Sequence, residues 1–323
     1  MRRAPIAITF AVAVAVIAGY GLARRQEGQA SKGPDSGKQT ALAVAPSEAA
    51  APSAPPALAP LYVADTWQQA ARAIDDTATM ATNRALIGLA RRYLGRPYNA
   101  FSLDRSPQER LQLDLTRFDC FLFVEQLLAL VNSRRVDTQT DGVNRFTDHV
   151  RQLRYDDGQV DYCRRHHYFS RWAEAAERRG YLVNITRFLP GAQTRQRALT
   201  FMSSNAASYE PMQQARNSRC IAELERNLEI TQPYIPLSRL PEALPSLRDG
   251  DIFGLVTRVE GLDVTHVGMV ELGPSAVDAI HAAPGVGVTR SLDLAAYAGS
   301  VEDVIGLMVL RPIPNPDGKL ARP

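Results

Sequence analysis

FDCFLFVEQLLALV, residues 118–131, decides the fold. Apolar side chains surround this stretch nearly all the way round, the mark of a helix buried on every face. Asp119 stands at its opening and is placed to cap it. That puts Cys120 in the first turn, where the helix dipole and unpaired N–H groups favour a thiolate. A free thiol titrates near about 8.5, and a helix N-terminus with a nearby imidazolium is expected to lower that by several units.

Working outward, the pattern between residues 61 and 241 is mostly helical. Residues 70–94 carry apolar side chains at helical spacing and stop at Gly95 and Pro97. Residues 168–179 predict a further helix, closed by Gly180. After Pro245 the period changes. Short runs rich in β-branched residues cover 252–259, 264–272, 276–283, 286–290 and 304–310. Glu260-Gly261, Gly273-Pro274 and Pro284-Gly285 separate them, which predicts an antiparallel meander. Helices first and strands after give an α+β domain, with the cysteine on a buried helix packed against an antiparallel sheet.

Two histidines fall on that sheet. His266 lies in VTHVGMV (264–270), with Gly268 two residues on keeping the same face open. His281 lies in the neighbouring run AIHAA (279–283). Adjacent antiparallel strands put two such side chains on one face, so one imidazole can orient the other. Nucleophile, base and orienter is the general logic of a catalytic triad. Singly, each residue has a plainer reading: an inert buried thiol, a structural histidine, an aspartate that only caps. The ordered combination is the specific signal.

The rest of the chain narrows the options. Its 323 residues with 45% hydrophobic and 22% charged side chains are enough for a sizeable core, and a net charge of +3 is too small to suggest nucleic acid. The only lysines are Lys32, Lys38 and Lys319, near the ends, which excludes Ser-Lys and Schiff-base chemistry from the folded body. Arg2 and Arg3 precede an apolar run over 6–18 and a small-x-small site at Gly21 and Ala23, as in a signal peptide. Counted over 4–23, the same stretch has 20 residues, long enough for an uncleaved membrane anchor flanked by Arg24-Arg25. Residues 1–25 therefore read as one or the other, and the body as exported. Residues 26–60 are an Ala/Pro-rich flexible linker, 61–313 the folded domain and 314–323 a loose tail. Cys163 and Cys220 are able to pair and leave Cys120 free, although all three cysteines also suit small buried apolar positions. Cys163 with His166-His167 has no second ligand pair at zinc spacing, and nothing reads as HExxH, so neither metal nor cofactor is expected.

The chain resembles the NlpC-type papain-like cysteine hydrolases that cut peptidoglycan. The resemblance rests on YLGRPY (93–98), FDC (118–120), LRDGDIFGLVT (247–257), HVGMV (266–270) and IHAA (280–283). Within that superfamily it is most similar to the N-acetylmuramoyl-L-alanine amidase-like branch, through FVE (123–125), HYFSRW (167–172), LTFMSSN (199–205), YIP (234–236) and GLDVTHVGMV (261–270). The resemblance implies a papain-like fold, Cys120 as nucleophile, His266 as general base and His281 as its orienter. It places Tyr98, Asp119, Asp263, His167 and Asn205 in supporting or substrate-binding roles. Phe121 and Leu122 stand where the branch commonly has small hydroxyl residues, and Asn205 where relatives often have His. The implied partner is peptidoglycan or its muropeptide fragments, cut between muramic acid and L-Ala or, alternatively, within the stem peptide by a γ-D-glutamyl endopeptidase. A non-catalytic wall-binding module and a hydrolase or acyltransferase acting on another amide are the competing readings.

Overall fold

The computed structural model describes residues 58–134 and 139–314. The expected signal or anchor over 1–25, the linker as far as residue 57 and the tail from 315 lie outside the described residues. In chain order come β1 (Leu61–Tyr62), α1 (Thr66–Thr77), α2 (Thr82–Arg92), β2 (Gln112–Leu113), α3 (Cys120–Asn132), α4 (Gln139–Arg154) and α5 (Phe169–Arg178). Then follow β3 (Leu182–Asn184), β4 (Gln193–Ala198), α6 (Ala215–Glu225), β5 (Glu229–Pro236), β6 (Ile252–Thr257), β7 (Val264–Leu272), β8 (Val277–Ala283), β9 (Gly287–Ser291), α7 (Leu294–Ser300) and β10 (Val304–Pro312).

The 118–131 stretch behaves as its composition demands. From Leu122 to Asn132 every residue of α3 is buried. The helix packs against α1, α2 and α4 and against β7 and β8 of the sheet. Leu127, Leu128 and Leu130 are fully buried, and each such side chain contributes about 1.5–3 kcal/mol on leaving water. Glu125 is the charged residue within the helix. Its carboxylate takes the Arg154 guanidinium from α4, with Nε at 2.9 Å. The two side chains are 0% and 1% exposed, and Arg154 Nη1 also donates to the Gln112 carbonyl at 2.7 Å.

The helical span expected over 70–94 is in fact two helices. The Thr77 hydroxyl donates back to the Ala73 carbonyl at 2.7 Å, competing with the helix ladder. Arg134 then takes the carbonyls of Thr77 and Met80 at 3.0 and 2.6 Å, satisfying groups that a continuing helix would have used.

The sheet is mixed with helices in an α+β arrangement, and its strands run antiparallel in the order β4-β5-β10-β6-β7-β8-β9, with β3 also pairing β10. The expected meander holds from β6 to β9. The run at 304–310 departs from it: β10 returns past α7 to lie between β5 and β6. It is buried at both faces, Gly306 through Leu310, and a strand of that kind needs a neighbour on each side. Strands β3 to β5 fall within the half expected to be helical. β4 alternates exposed and half-buried polar residues, and β5 contains Pro233 and Pro236, so neither carries a strong strand signature.

Removing one partner of the Glu125–Arg154 pair leaves a bare charge inside the core. Arg154→Ala should cost about 3–5 kcal/mol in chemical denaturation. A loss below about 1 kcal/mol would mean that water reaches the pair and that α3 is less enclosed than described.

Candidate active site

Three local arrangements bring the site together. The first delivers Cys120. The Phe118 N–H donates to the Pro97 carbonyl at 3.0 Å and the Asn99 N–H to the Phe118 carbonyl at 2.9 Å. This short bridge lays Tyr98 beside Phe118. Asp119 then caps α3, its carboxylate accepting the Leu122 N–H at 2.7 Å, and Cys120 opens the helix. It is the one free cysteine and is half-buried.

The second arrangement pairs the histidines. In the β7–β8 ladder Met269 faces Ile280, and the next step brings Gly268 alongside His281. A Cβ at Gly268 would fall 2.7 Å from the His281 Cβ and 2.7 Å from the Phe253 ring. Glycine is required there, and its absence of side chain lets the two imidazoles meet. His266 Nε2 lies 2.8 Å from His281 Nδ1, with ring centroids 4.8 Å apart. Beyond it, His281 Nε2 lies 2.8 Å from the Ser291 hydroxyl. The Tyr297 ring packs on His281 at 4.5 Å.

This chain admits a proton order that suits a base. If His281 Nε2–H donates to Ser291, its Nδ1 is the acceptor for His266 Nε2–H. Nδ1 of His266 is then the unprotonated nitrogen. Ser291 was not anticipated from the sequence, though its signal was present. In the β8–β9 hairpin His281 faces Thr289, so position 291 is the next residue on the same face.

The third arrangement encloses them. Cys120 and His266 line one cavity of about 230 Å³ together with Asp119, Phe121, Arg165, His167, Asp263 and Val267. Enclosure reverses the expected electrostatics. Burial pushes the Cys120 thiol up to about 12, with the Asp119 charge adding to the effect. The backbone N–H groups of Val267, Phe121 and Cys120 favour the thiolate but do not offset burial. Burial, reinforced by His281, holds His266 well below its ordinary range, and burial takes His281 down to about 4. The resting pair is therefore neutral thiol and neutral imidazole, not the thiolate–imidazolium expected from the helix N-terminus alone. Burial also raises Asp119 to about 6.

The supporting residues separate. Asp263 accepts the Ser170 N–H at 2.6 Å and the Val264 N–H at 2.8 Å, tying the start of α5 to the start of β7 at the cavity wall. His167 lines the cavity but directs Nε2 at the Tyr162 carbonyl, 2.7 Å away. Burial keeps it neutral. Tyr98 stands close enough to Cys120 and Asp119 that their charges, after burial, raise its phenol. Asn205 is not among the cavity-lining residues and donates to the Phe201 carbonyl at 2.8 Å. Cys163 and Cys220 are joined in a disulfide that fastens the segment before Arg165–His167 to α6. Among the described residues no group of three or more His, Cys, Asp or Glu is set to hold a metal ion.

Comparison with known proteins bears on this arrangement. The sequence model of a family described as N-acetylmuramoyl-L-alanine amidase-like matches residues 88–297. A crystal structure described as an N-acetylmuramoyl-L-alanine amidase from Bacteroides uniformis shares 27% identity with a TM-score of 0.65, over 71% of this chain and 99% of that one. A second structure of the same description and organism gives 26% identity and a TM-score of 0.66, over 72% and 99%. A Legionella pneumophila protein at 17% identity and TM-score 0.61, covering 76% and 94%, shares the fold. No curated protein matches the chain.

A neutral resting thiol has a measurable signature. Its pKa lies above the ordinary value, so the thiolate is scarce at neutral pH and grows as pH rises. Alkylation of Cys120 by iodoacetamide should therefore climb roughly tenfold per pH unit between about 7 and 10, without a plateau. A plateau already reached below about pH 7 would restore the ion pair.

Proposed function

The chain belongs to the N-acetylmuramoyl-L-alanine amidase-like family, and from that premise we propose that it is a papain-like cysteine amidase cleaving the bond between muramic acid and the stem peptide. The observation that carries this reading is the chain His266–His281–Ser291, whose His266 lines the same cavity as the one free cysteine. The Bacteroides uniformis neighbours, described as amidases at 26–27% identity, support the choice of bond.

The proposed reaction is acyl transfer. As the Cys120 sulfur attacks the lactyl carbonyl carbon, its proton passes to Nδ1 of His266. Because both groups rest neutral, proton transfer and attack proceed together. The negative charge that develops on the carbonyl oxygen is met by backbone N–H groups, that of Cys120 among them. Collapse breaks the C–N bond, and the leaving amine of L-Ala takes the proton from His266. Water, deprotonated by His266, then attacks the thioester and releases the muramoyl carboxylate and the free thiol. His281 keeps the His266 proton on Nε2 throughout. The apolar run at 6–18 supports export to the cell envelope, cleaved or anchored, where this substrate lies.

Digestion of purified sacculi and muropeptides, followed by mass spectrometry, tests the bond. The proposal expects stem peptides with a free L-Ala amine and glycans with a free lactyl carboxylate. Glycans that keep L-Ala–D-Glu on the lactyl group, with release of a peptide that begins at the third stem residue, would make the enzyme an endopeptidase instead.

The roles of the histidines differ in size. Cys120→Ala and His266→Ala should abolish turnover to similar extents, because triad members act as a unit. His281→Ala should lose on the order of 10²-fold in kcat/KM or more, and His281→Asn less, since an amide still accepts the imidazole hydrogen bond. Activity should survive EDTA. Small, equal losses at His266 and His281, with folding confirmed by circular dichroism, would sink the assignment of the base.

A further inference from the structure

Two of the aromatic side chains that line the cavity, Phe101 and Tyr209, come from segments far apart in sequence and outside the Cys–His machinery. Phe101 comes from the loop before β2, and Tyr209 from the segment between β4 and α6. Their rings meet edge to face at 6.4 Å. Phe101 is 38% exposed, a large apolar face turned to solvent at the cavity.

Its backbone is also unusual. Phe101 has φ 56°, in the left-handed region that a bulky L-residue adopts only at a cost of about 1–3 kcal/mol. The surrounding loop holds it there. The Asp104 N–H donates to the Phe101 carbonyl at 3.0 Å, Arg105 donates to the Ala100 carbonyl at 3.0 Å, and Arg165 to the Leu103 carbonyl at 3.2 Å. A strained aromatic, fixed by its neighbours and left exposed beside the reacting groups, is the pattern of a ligand contact. The Tyr209 hydroxyl makes no hydrogen bond to any described residue, which leaves it for a ligand.

Charge decides what kind of ligand. Arg165 is the one arginine lining the cavity, and it is already paired with Asp104 and with Glu109 at 3.4 Å. Asp263 and Asp119 add negative charge to the same wall. A carboxylate of the stem peptide would find no unpaired cation here. A neutral ring with apolar C–H faces and hydroxyl groups suits one aromatic face and one free phenol.

We infer that Phe101 and Tyr209 form a subsite for the neutral sugar ring on the acyl side of the scissile amide, and so set a requirement for the glycan. This rests on the amidase reading and adds the part of the substrate that it recognises.

Two soluble substrates with the same scissile bond test it: N-acetylmuramoyl-L-Ala-D-isoGln, and the (R)-lactoyl-L-Ala-D-isoGln that lacks the sugar. The readout is the ratio of their kcat/KM values. Phe101→Gly removes the ring and suits the left-handed backbone, so it should fold, as thermal melting will report. It should lower the ratio by on the order of 10-fold, whereas Phe101→Tyr should hold it within about twofold by keeping the ring. An unchanged ratio in Phe101→Gly, or equal losses on both compounds, would overturn the subsite while leaving the amidase intact. If the native enzyme left both compounds uncut and converted muropeptides to glycans still carrying L-Ala–D-Glu, the amidase reading would fall and the subsite with it.

Discussion

Everything in this protein depends on how completely α3 is buried. A helix apolar on all sides has no surface to offer water, so the other helices and the sheet must close around it. Closure fixes the N-terminus of α3 against β7, because helix and strand are in direct contact. Cys120 is the first residue of that helix and His266 sits on that strand, so their neighbourhood is a consequence of core packing. The Glu125–Arg154 pair adds a polar constraint within the same helix. It contributes little net stability compared with apolar packing, but a single register of α3 against α4 satisfies it.

Burial also sets the chemistry. The same enclosure that positions Cys120 takes water from its thiol, and this outweighs the helix N-terminus. In the proposed reaction, a resting thiolate would be reactive toward any electrophile, whereas a neutral thiol beside a neutral imidazole would act only when a carbonyl is in place to accept the sulfur as the proton leaves. The His281–Ser291 chain matters for that reason. It does not supply charge, since burial keeps His281 neutral. With His281 Nε2–H donated to Ser291, it orders the protons, so that the nitrogen of His266 left bare is the one not used by His281.

Much of this was legible in the sequence, and the exceptions share a cause. The 118–131 helix, its Asp119 cap, the β6–β9 hairpins and the shared face of His266 and His281 all follow from local periodicity and turn residues. Gly268 was readable as an open face, and the structure shows that His281 is what occupies the space. What escaped depends on distant partners. β4 and β5 pair with one another through polar and proline-containing segments that look like loops in isolation. β10 crosses back because two neighbours bury it, and sequence order does not reveal neighbours. The thiol was misjudged because helix-end rules are local, while the walls that desolvate it come from residues 101–104, 165–169, 202–209 and 262–267. Phe101 gave no signal, since a left-handed phenylalanine is set by its loop.

The central claim is that Cys120 carries the acyl group of muramic acid during turnover. Rapid acid quench of the enzyme with a muropeptide, followed by peptide mass spectrometry, tests it most directly. The account predicts a thioester on the peptide containing Cys120, with the mass of the muramoyl acyl group and without amino acids of the stem. An adduct that contains L-Ala and D-Glu, or an adduct on any other residue, would contradict it.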